Sequence, residues 1–296
     1  VRRLAAVVTL AAASAAAQQL EPRAYSPAPV GTNYFGLALH DLQGGVVTDP
    51  ALPLEDIDAH IEMVTPFYGR TFAAFGRSAS LGIAVPYAWG TVEGLVFEER
   101  REVRRSGFGD PTLRFAVNLV GGPAMTPREF AARTRQTTLG FSLVATVPVG
   151  EYDGSKLINL GTNRWAFKPE LGLSHPVGKW DLELYGGVWL FADNDEFFGG
   201  QRRVQDPLAT AQTHVVYTLR PALWLAWDFT YYWGGTSTLD GVRNDDRQDN
   251  TRGGLTLAVP VVGRQSLKVT WARGVSTRVG SSFETFGIAW QWVWFD

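Results

Sequence analysis

The stretch LWLAWDFTYYW constrains the fold more than any other part of this 296-residue chain. Leu223, Leu225, Trp227, Phe229, Tyr231 and Trp233 alternate with Asp228, Thr230 and Tyr232. Successive side chains of an extended strand point to opposite faces, so this run is a strand with one oily aromatic face and one polar face. The same parity recurs in SASLGIAVPYAWG, TTLGFSLVATV, RWAFKPELGL and KWDLELYGGVWL. About twelve such runs can be counted, centred near residues 36, 65, 84, 115, 142, 169, 186, 213, 228, 257, 269 and 289, with clusters of Gly, Pro, Asn and Asp between them. Their spacing, about 23 residues, leaves room for a membrane strand of about 9–11 residues and a connection.

Alternation alone permits two folds. A soluble sandwich or propeller turns the apolar faces inward; a membrane barrel turns them out to lipid. Three features favour the barrel. The apolar faces carry Trp near strand ends, counting Trp89, Trp165, Trp180, Trp224, Trp233 and Trp271, as interfacial girdles require. The opposite faces are rich in Gly, Ser, Ala and Thr, which suits a narrow lumen. The terminal run FGIAWQWVWFD has no later strand to cover it. A cationic side chain on the lipid face costs roughly 2–4 kcal/mol at mid-membrane, and in strands 4 to 11 the mid-strand charges Arg114, Lys168, Glu170, Asp181, Glu183, Asp228 and Lys268 share the parity of the non-apolar face. The expectation is an all-β fold: a single closed antiparallel transmembrane β-barrel of about twelve strands, bacterial outer-membrane type, over residues 32–296. Phe286, Ile288, Trp290, Trp292 and Trp294 then form a lipid-facing closing strand and a tag for the outer-membrane assembly machinery.

The connections alternate in length. AFGRS, HPVGK, LRPA and VGRQ are tight, whereas HDLQGGVVTDPALPLED, TVEGLVFEERREVRRSGFGD, GEYDGSKLINLGTN, ADNDEFFGGQRRVQD and GTSTLDGVRNDDRQDN are long and charged. Outer-membrane barrels place short turns in the periplasm and long loops outside. GGPAMTPREFAARTRQ is long on the short side, which predicts a small periplasmic helix. At the start, Arg2 and Arg3, an apolar run from Leu4 to Ala17 and the small residues Ala15 to Ala17 make a signal peptide over 1–17. The Pro-rich LEPRAYSPAPVG within 18–31 reads as an irregular periplasmic lead. A net charge of -2 gives no reason to expect a nucleic-acid partner, and the absence of cysteine removes disulfides, thiolate metal sites and cysteine nucleophiles.

The inward parity collects Arg114, Lys168, Glu170, Asp181, Glu183, Gln212, His214, Asp228, Tyr232 and Lys268 as lumen-lining residues. Their mixed signs suit either a salt-bridged network bracing a narrow barrel or a selectivity lining. Nothing in them predicts catalysis: two residues after His214, where a barrel phospholipase has its serine, stands Val216. DNDEFFGG and NDDRQDN miss the ligand spacing of a calcium loop, with Phe197 at the fifth position of the first and no glycine in the second. EERREVRR, in an external loop, suits hydration or contact with lipopolysaccharide phosphates. No cofactor, metal or catalytic residue is expected.

EPRAYSPAPVGTNYFG, FGDPTLRFAVNLVGGPA, VPVGEYDGSKLINLGTNRWAFKPELGLSH, GVWLFADNDEFFGG, DPLATAQTHVVYTLRP, LWLAWDFTYYWGG and the WQWVW end resemble the meta-pathway phenol-degradation (MetA-like) family of bacterial outer-membrane proteins. The resemblance covers nearly all of the chain after the signal segment. It implies a transporter-like barrel in the outer membrane, associated with breakdown of aromatic compounds, and brings no catalytic residues. The expected activity is passive passage of small, aromatic or hydrophobic molecules; the alternative is a closed barrel that acts through its external loops. One departure is that Phe295 is followed by Asp296, so Trp294 rather than the last residue serves as the aromatic anchor.

Overall fold

The alternating runs pair into antiparallel strands: β1 (Thr32–Val47), β2 (Leu54–Ala74), β3 (Arg77–Ala84), β4 (Thr112–Val120), β5 (Thr138–Thr146), β6 (Ala166–Val177), β7 (Trp180–Phe191), β8 (Leu208–Arg220), β9 (Leu223–Gly234), β10 (Gln248–Pro260), β11 (Gln265–Ser276) and β12 (Glu284–Phe295). The structure, a computed structural model, describes residues 20–47, 54–96 and 99–296; the predicted signal segment lies outside the described residues. Each strand pairs with its sequence neighbours, and β1 pairs with both β2 (Leu37↔Pro66) and β12 (Leu37↔Trp290). That double pairing closes a 12-strand barrel and leaves no free edge along its wall.

Turn chemistry explains the tight end. Between β2 and β3 the chain reverses through Phe75 and Gly76, both at positive φ (51° and 70°), the two-residue turn whose twist matches paired strands. Gly178, at φ 60°, does the same between β6 and β7. The long predicted link between β4 and β5 carries a helix, α1 (Pro127–Ala132), begun by a reciprocal capping box between Thr126 and Glu129. Both ends of the barrel chain meet at this rim, where the Asp296 amide donates to the Gly31 carbonyl at 3.1 Å.

The opposite rim is elaborate. Val85 and Pro86 interrupt β3, since proline has no N–H for the ladder, and a further strand, Tyr87–Val96, continues along β2. It pairs with Glu99–Phe108, so Glu99 to Arg105 of the EERREVRR run lie in a hairpin strand rather than an open loop. The expected first loop is also shorter than the sequence suggested, because β1 runs on to Val47 and β2 begins at Leu54. Asn194–Phe197, Gln201–Gln205, Ser237–Leu239 and Val242–Arg243 form a separate four-stranded sheet. Phe197, of the DNDEFFGG stretch, is buried with Arg203 5.4 Å from its ring.

Burial fixes which face looks where. Leu171 and Leu184 are 51% and 55% exposed, whereas Lys168, Glu170 and Asp228 are 8%, 3% and 4% exposed. An outer wall of half-exposed Leu, Val, Phe and Trp around buried charge is the inverse of a water-soluble fold. Phe286, Ile288 and Trp292 are exposed on this wall, and Trp290 and Trp294 share their parity. Trp224 is a correction. It lies on the parity of Asp228, facing the lumen, where the Arg23 guanidinium sits 5.0 Å from its ring; counting from the strand end rather than from the alternation had put it outside.

The lead is the larger correction. Residues 20–31 are irregular, but they do not stay outside the barrel. They enter the lumen from the periplasmic rim. Pro29 carbonyl accepts from Thr32, Ser78 Oγ donates to Ala28 carbonyl at 2.9 Å, and Asn118 Nδ2 donates to Tyr25 carbonyl at 2.9 Å. A segment without periodicity carries no signal of where it goes.

Candidate functional site

Successive rungs of the lumen wall can be followed across the ladder. Nearest the outer rim, Thr112, Thr146, Ala166 and Phe191 stand side by side. The next rung holds Arg114, Val144 and Lys168, then come Ser142, Glu170 and Gly187. Below them run Gly140, Gly172, Tyr185, Gln212, Thr230 and Arg252, and below those Ser174, Glu183, His214, Asp228 and Gly254. Asp181 and Val216 sit one rung nearer the periplasm. Lys268 lies between Ala258 and Ala289, and Tyr232 is buried with Trp189 and Leu208. All ten residues of the inward parity thus lie on the strand face opposite the exposed apolar wall.

The lead occupies the lower rungs. The Tyr25 ring lies over Gly140 and Gly172; a Cβ at those glycines would come within 2.3 Å and 2.1 Å of it. Its hydroxyl donates to Glu170 Oε1 at 2.9 Å and shares a 2.8 Å hydrogen bond with Ser142. Tyr185 packs edge-on at 4.9 Å. Arg23 pairs with Asp181 at 2.9 Å, donates to Thr218 at 2.6 Å, and gives its backbone N–H to Glu183 at 2.7 Å. Arg135, from the α1 connection, also pairs with Asp181. Glu183 accepts in addition from Ser174 and Tyr185. The acids of this half thus brace the lead. Tyr25, Arg23 and Arg135 could not be assigned from periodicity; the one legible hint was paired inward glycines, which leave room for a ring.

Above the lead a cavity of about 120 Å³ remains. Its floor includes Glu21 and Arg114, 3.9 Å apart. Its wall includes Lys168, paired with Glu170 at 3.0 Å, and Trp189 with Lys168 5.6 Å from its ring. Its cover is the connection between β5 and β6, folded inward: Asp110 accepts from the Gly150 amide at 2.9 Å, the Thr162 amide at 2.7 Å and the Thr162 hydroxyl at 2.6 Å. Arg164, on that connection, sits 4.6 Å from the Phe191 ring and donates one nitrogen to Gln205. Burial, with the charge of Arg203 adding to it, pulls the Arg164 guanidinium well below its ordinary value. Arg164 Nη1, Trp189 Nε1 and Thr65 Oγ1 are buried at this cavity without a hydrogen-bond partner among the described residues. Sequence reasoning missed Arg164, Trp189 and Phe191, though Trp189 and Phe191 share the inward parity of Asp181 and Glu183.

His214 is fully enclosed. Its Nδ1 lies 2.6 Å from Asp228 Oδ1, and Thr256 donates to the other carboxylate oxygen at 2.6 Å. The carboxylate only accepts, so Nδ1 carries the proton. The neighbouring inward position is Val216, which offers no hydroxyl to attack a substrate.

A closed, antiparallel 12-stranded cylinder with an oily exterior and a charged interior is a transmembrane barrel of the outer-membrane type. Residues 41–292 match the family described as "Putative MetA-pathway of phenol degradation", and the chain belongs to that family. No curated protein sequence matches it. Among solved structures, the COG4313 outer membrane channel from Pseudomonas putida F1 superposes with a TM-score of 0.78 at 22% identity, over 93% of this chain and 100% of that one. The beta domain of the Bordetella autotransporter BrkA gives 0.54 at 11% identity over 89% and 100%, and the translocator domain of NalP from Neisseria meningitidis gives 0.52 at 8% over 96% and 96%. These likenesses establish the barrel architecture.

Proposed function

We propose that this chain is an outer-membrane channel through which small aromatic or otherwise poorly soluble molecules pass passively, without a reaction. The observation that carries the reading is the way the lumen is filled: a cavity of about 120 Å³ remains above, and the lead below is held by side-chain hydrogen bonds and two ion pairs, Arg23 with Asp181 and Glu21 with Arg114, rather than by a strand ladder. Family membership supports the aromatic class of solute. In the same reading residues 1–17 are a signal peptide removed on export, residues 32–296 form the barrel domain, the Phe286 to Trp294 stripe is read by the assembly machinery, and the external arginines Arg100, Arg101 and Arg104 meet lipopolysaccharide phosphates. His214 is a positioning residue of the lumen network, with no substrate to act on.

The filled lower lumen supports a second reading, a closed barrel that acts through its external hairpin and sheet. Reconstitution separates the two. The channel reading expects single-channel conductance in planar bilayers and faster uptake of phenol by proteoliposomes than by empty vesicles. Absence of both, in protein shown to be folded, sinks it and leaves the loop-mediated role.

A further inference from the structure

Resting on the channel reading, we propose that the cavity above the lead is a binding station for a single-ring aromatic carboxylate, not for a neutral ring. The first ground is size. A cavity of about 120 Å³ is close to the roughly 150 Å³ known to hold one benzene ring. The second is the wall. Phe191 and Trp189 lie nearly parallel, 13° apart, with Met63 and Val144 nearby on the lining. A flat apolar body is accommodated against that part of the lining.

The third ground fixes the charge. Three cations line the space, and two already have an acid: Arg114 faces Glu21 and Lys168 faces Glu170. Asp110 is saturated by three donors from the covering connection. Arg164 makes no ion pair with a described acid, is 8% exposed, and keeps Nη1 without an acceptor. Trp189, 5% exposed, keeps its indole N–H likewise. These two groups are obligate donors, whereas the third idle group at the cavity, Thr65 Oγ1, can donate or accept. A buried donor left without an acceptor is costly, so the solute that gains most here brings acceptors, and a negative charge to stand against the guanidinium. A neutral hydrocarbon leaves both donors idle; a phenol brings a single oxygen; a carboxylate brings two.

The test uses the full barrel in detergent and reads equilibrium binding by ligand-observed NMR, with benzoate, benzyl alcohol and acetate as probes. Benzoate is expected to bind saturably, and both other probes at least about tenfold more weakly, as loss of one charge-assisted contact or of ring burial implies. Arg164→Gln should weaken benzoate about tenfold or more and leave benzyl alcohol unchanged. Arg164→Lys should restore part of the loss. Trp189→Phe, which keeps a ring and removes the donor, should weaken benzoate by a smaller factor. Heat-modifiable electrophoretic mobility checks that each variant is folded, and the lysine and phenylalanine variants keep the question open if the glutamine variant is not. Equal affinity for benzoate and benzyl alcohol, equal affinity for benzoate and acetate, or benzoate binding indifferent to both positions overturns the proposal. A barrel that passes phenol yet ignores benzoate overturns this inference and leaves the channel reading standing; saturable, Arg164-dependent benzoate binding without flux does the reverse.

Discussion

The two faces of β7 arise from one alternation and obey different rules. Outward, Leu182, Leu184, Val188 and Leu190 each stand about half exposed. Lipid is fluid, so this face needs only the right class of side chain. Inward, Asp181, Glu183 and Tyr185 each hold named partners, including Arg23 and Arg135 for Asp181 and three donors for Glu183. That face needs particular residues, because each buried polar group must be satisfied. The barrel is therefore specified loosely toward the membrane and tightly toward its axis. The tight rule is relaxed at the cavity rim, where Arg164 Nη1 and Trp189 Nε1 lack partners among the described residues, and at single atoms lower down, such as His214 Nε2 and Gln212 Oε1.

The sharpest way to break this contrast is a charge on the loose face. Leu184→Arg turns a guanidinium toward mid-membrane and should cost roughly 2–4 kcal/mol of folding free energy. Urea unfolding of the barrel in liposomes measures it. Leu184→Ile, which keeps the class, should shift the midpoint very little. If Leu184→Arg folds as well as the parent, the outer wall does not meet lipid and the barrel assignment falls with it.

A smaller effect tests the tight face. Gly140 carries no side chain where the Tyr25 ring packs, and the three atoms nearest to a Cβ there all belong to Tyr25, the closest at 2.3 Å. Gly140→Ala should therefore push the lead away from the wall and raise single-channel conductance. Tyr25→Ala should raise it as well. Combined, they should give no more than Tyr25→Ala alone, because the added methyl then has nothing to displace. Fully additive effects would show that Gly140 acts through the wall rather than through the lead.

What was legible follows the same division. Every one of the twelve predicted strand centres falls inside an observed strand, because lipid outside and polar lumen inside write a period of two into the chain. The short helix in the β4–β5 connection was expected from the length of that link alone, and its Thr126 and Glu129 capping pair emerges only in the structure. The site was half legible. Parity placed Lys168, Glu170, Asp228 and the rest on one face, but it does not say what touches them. Glu21, Arg23 and Tyr25 come from a segment with no period, and Arg135 and Arg164 from connections. Their positions depend on chain closure in three dimensions, which leaves no mark on local sequence. Trp224 was misplaced for a simpler reason: a tryptophan near a strand end invites a girdle assignment, and parity should have overruled it.

The smallest effect concerns the cover of the cavity. Asp153, on the β5–β6 connection outside the membrane strands, accepts from the Ser155 amide at 3.0 Å, the Ser155 hydroxyl at 2.6 Å and Lys156 Nζ at 2.8 Å. Lys156 first, then the Ser155 groups, hold its carboxyl below the ordinary carboxylate range. The ionised form is thus favoured when the connection is folded. Its contribution is fully present above the ordinary value of about 3.9, and it is lost as pH falls through the lowered folded value. The group is solvent-exposed, so the effect is local and modest. Asp153→Asn should reproduce the acid state at neutral pH. Amide hydrogen exchange at a single pH should then quicken at Ser155 and Lys156 relative to the parent, while the amide of Arg23, bonded to Glu183 in the lower lumen, keeps its rate. If both regions loosen together, cover and lead are one cooperative unit, and the division between a lead braced by the lower wall and a separately folded cover no longer holds.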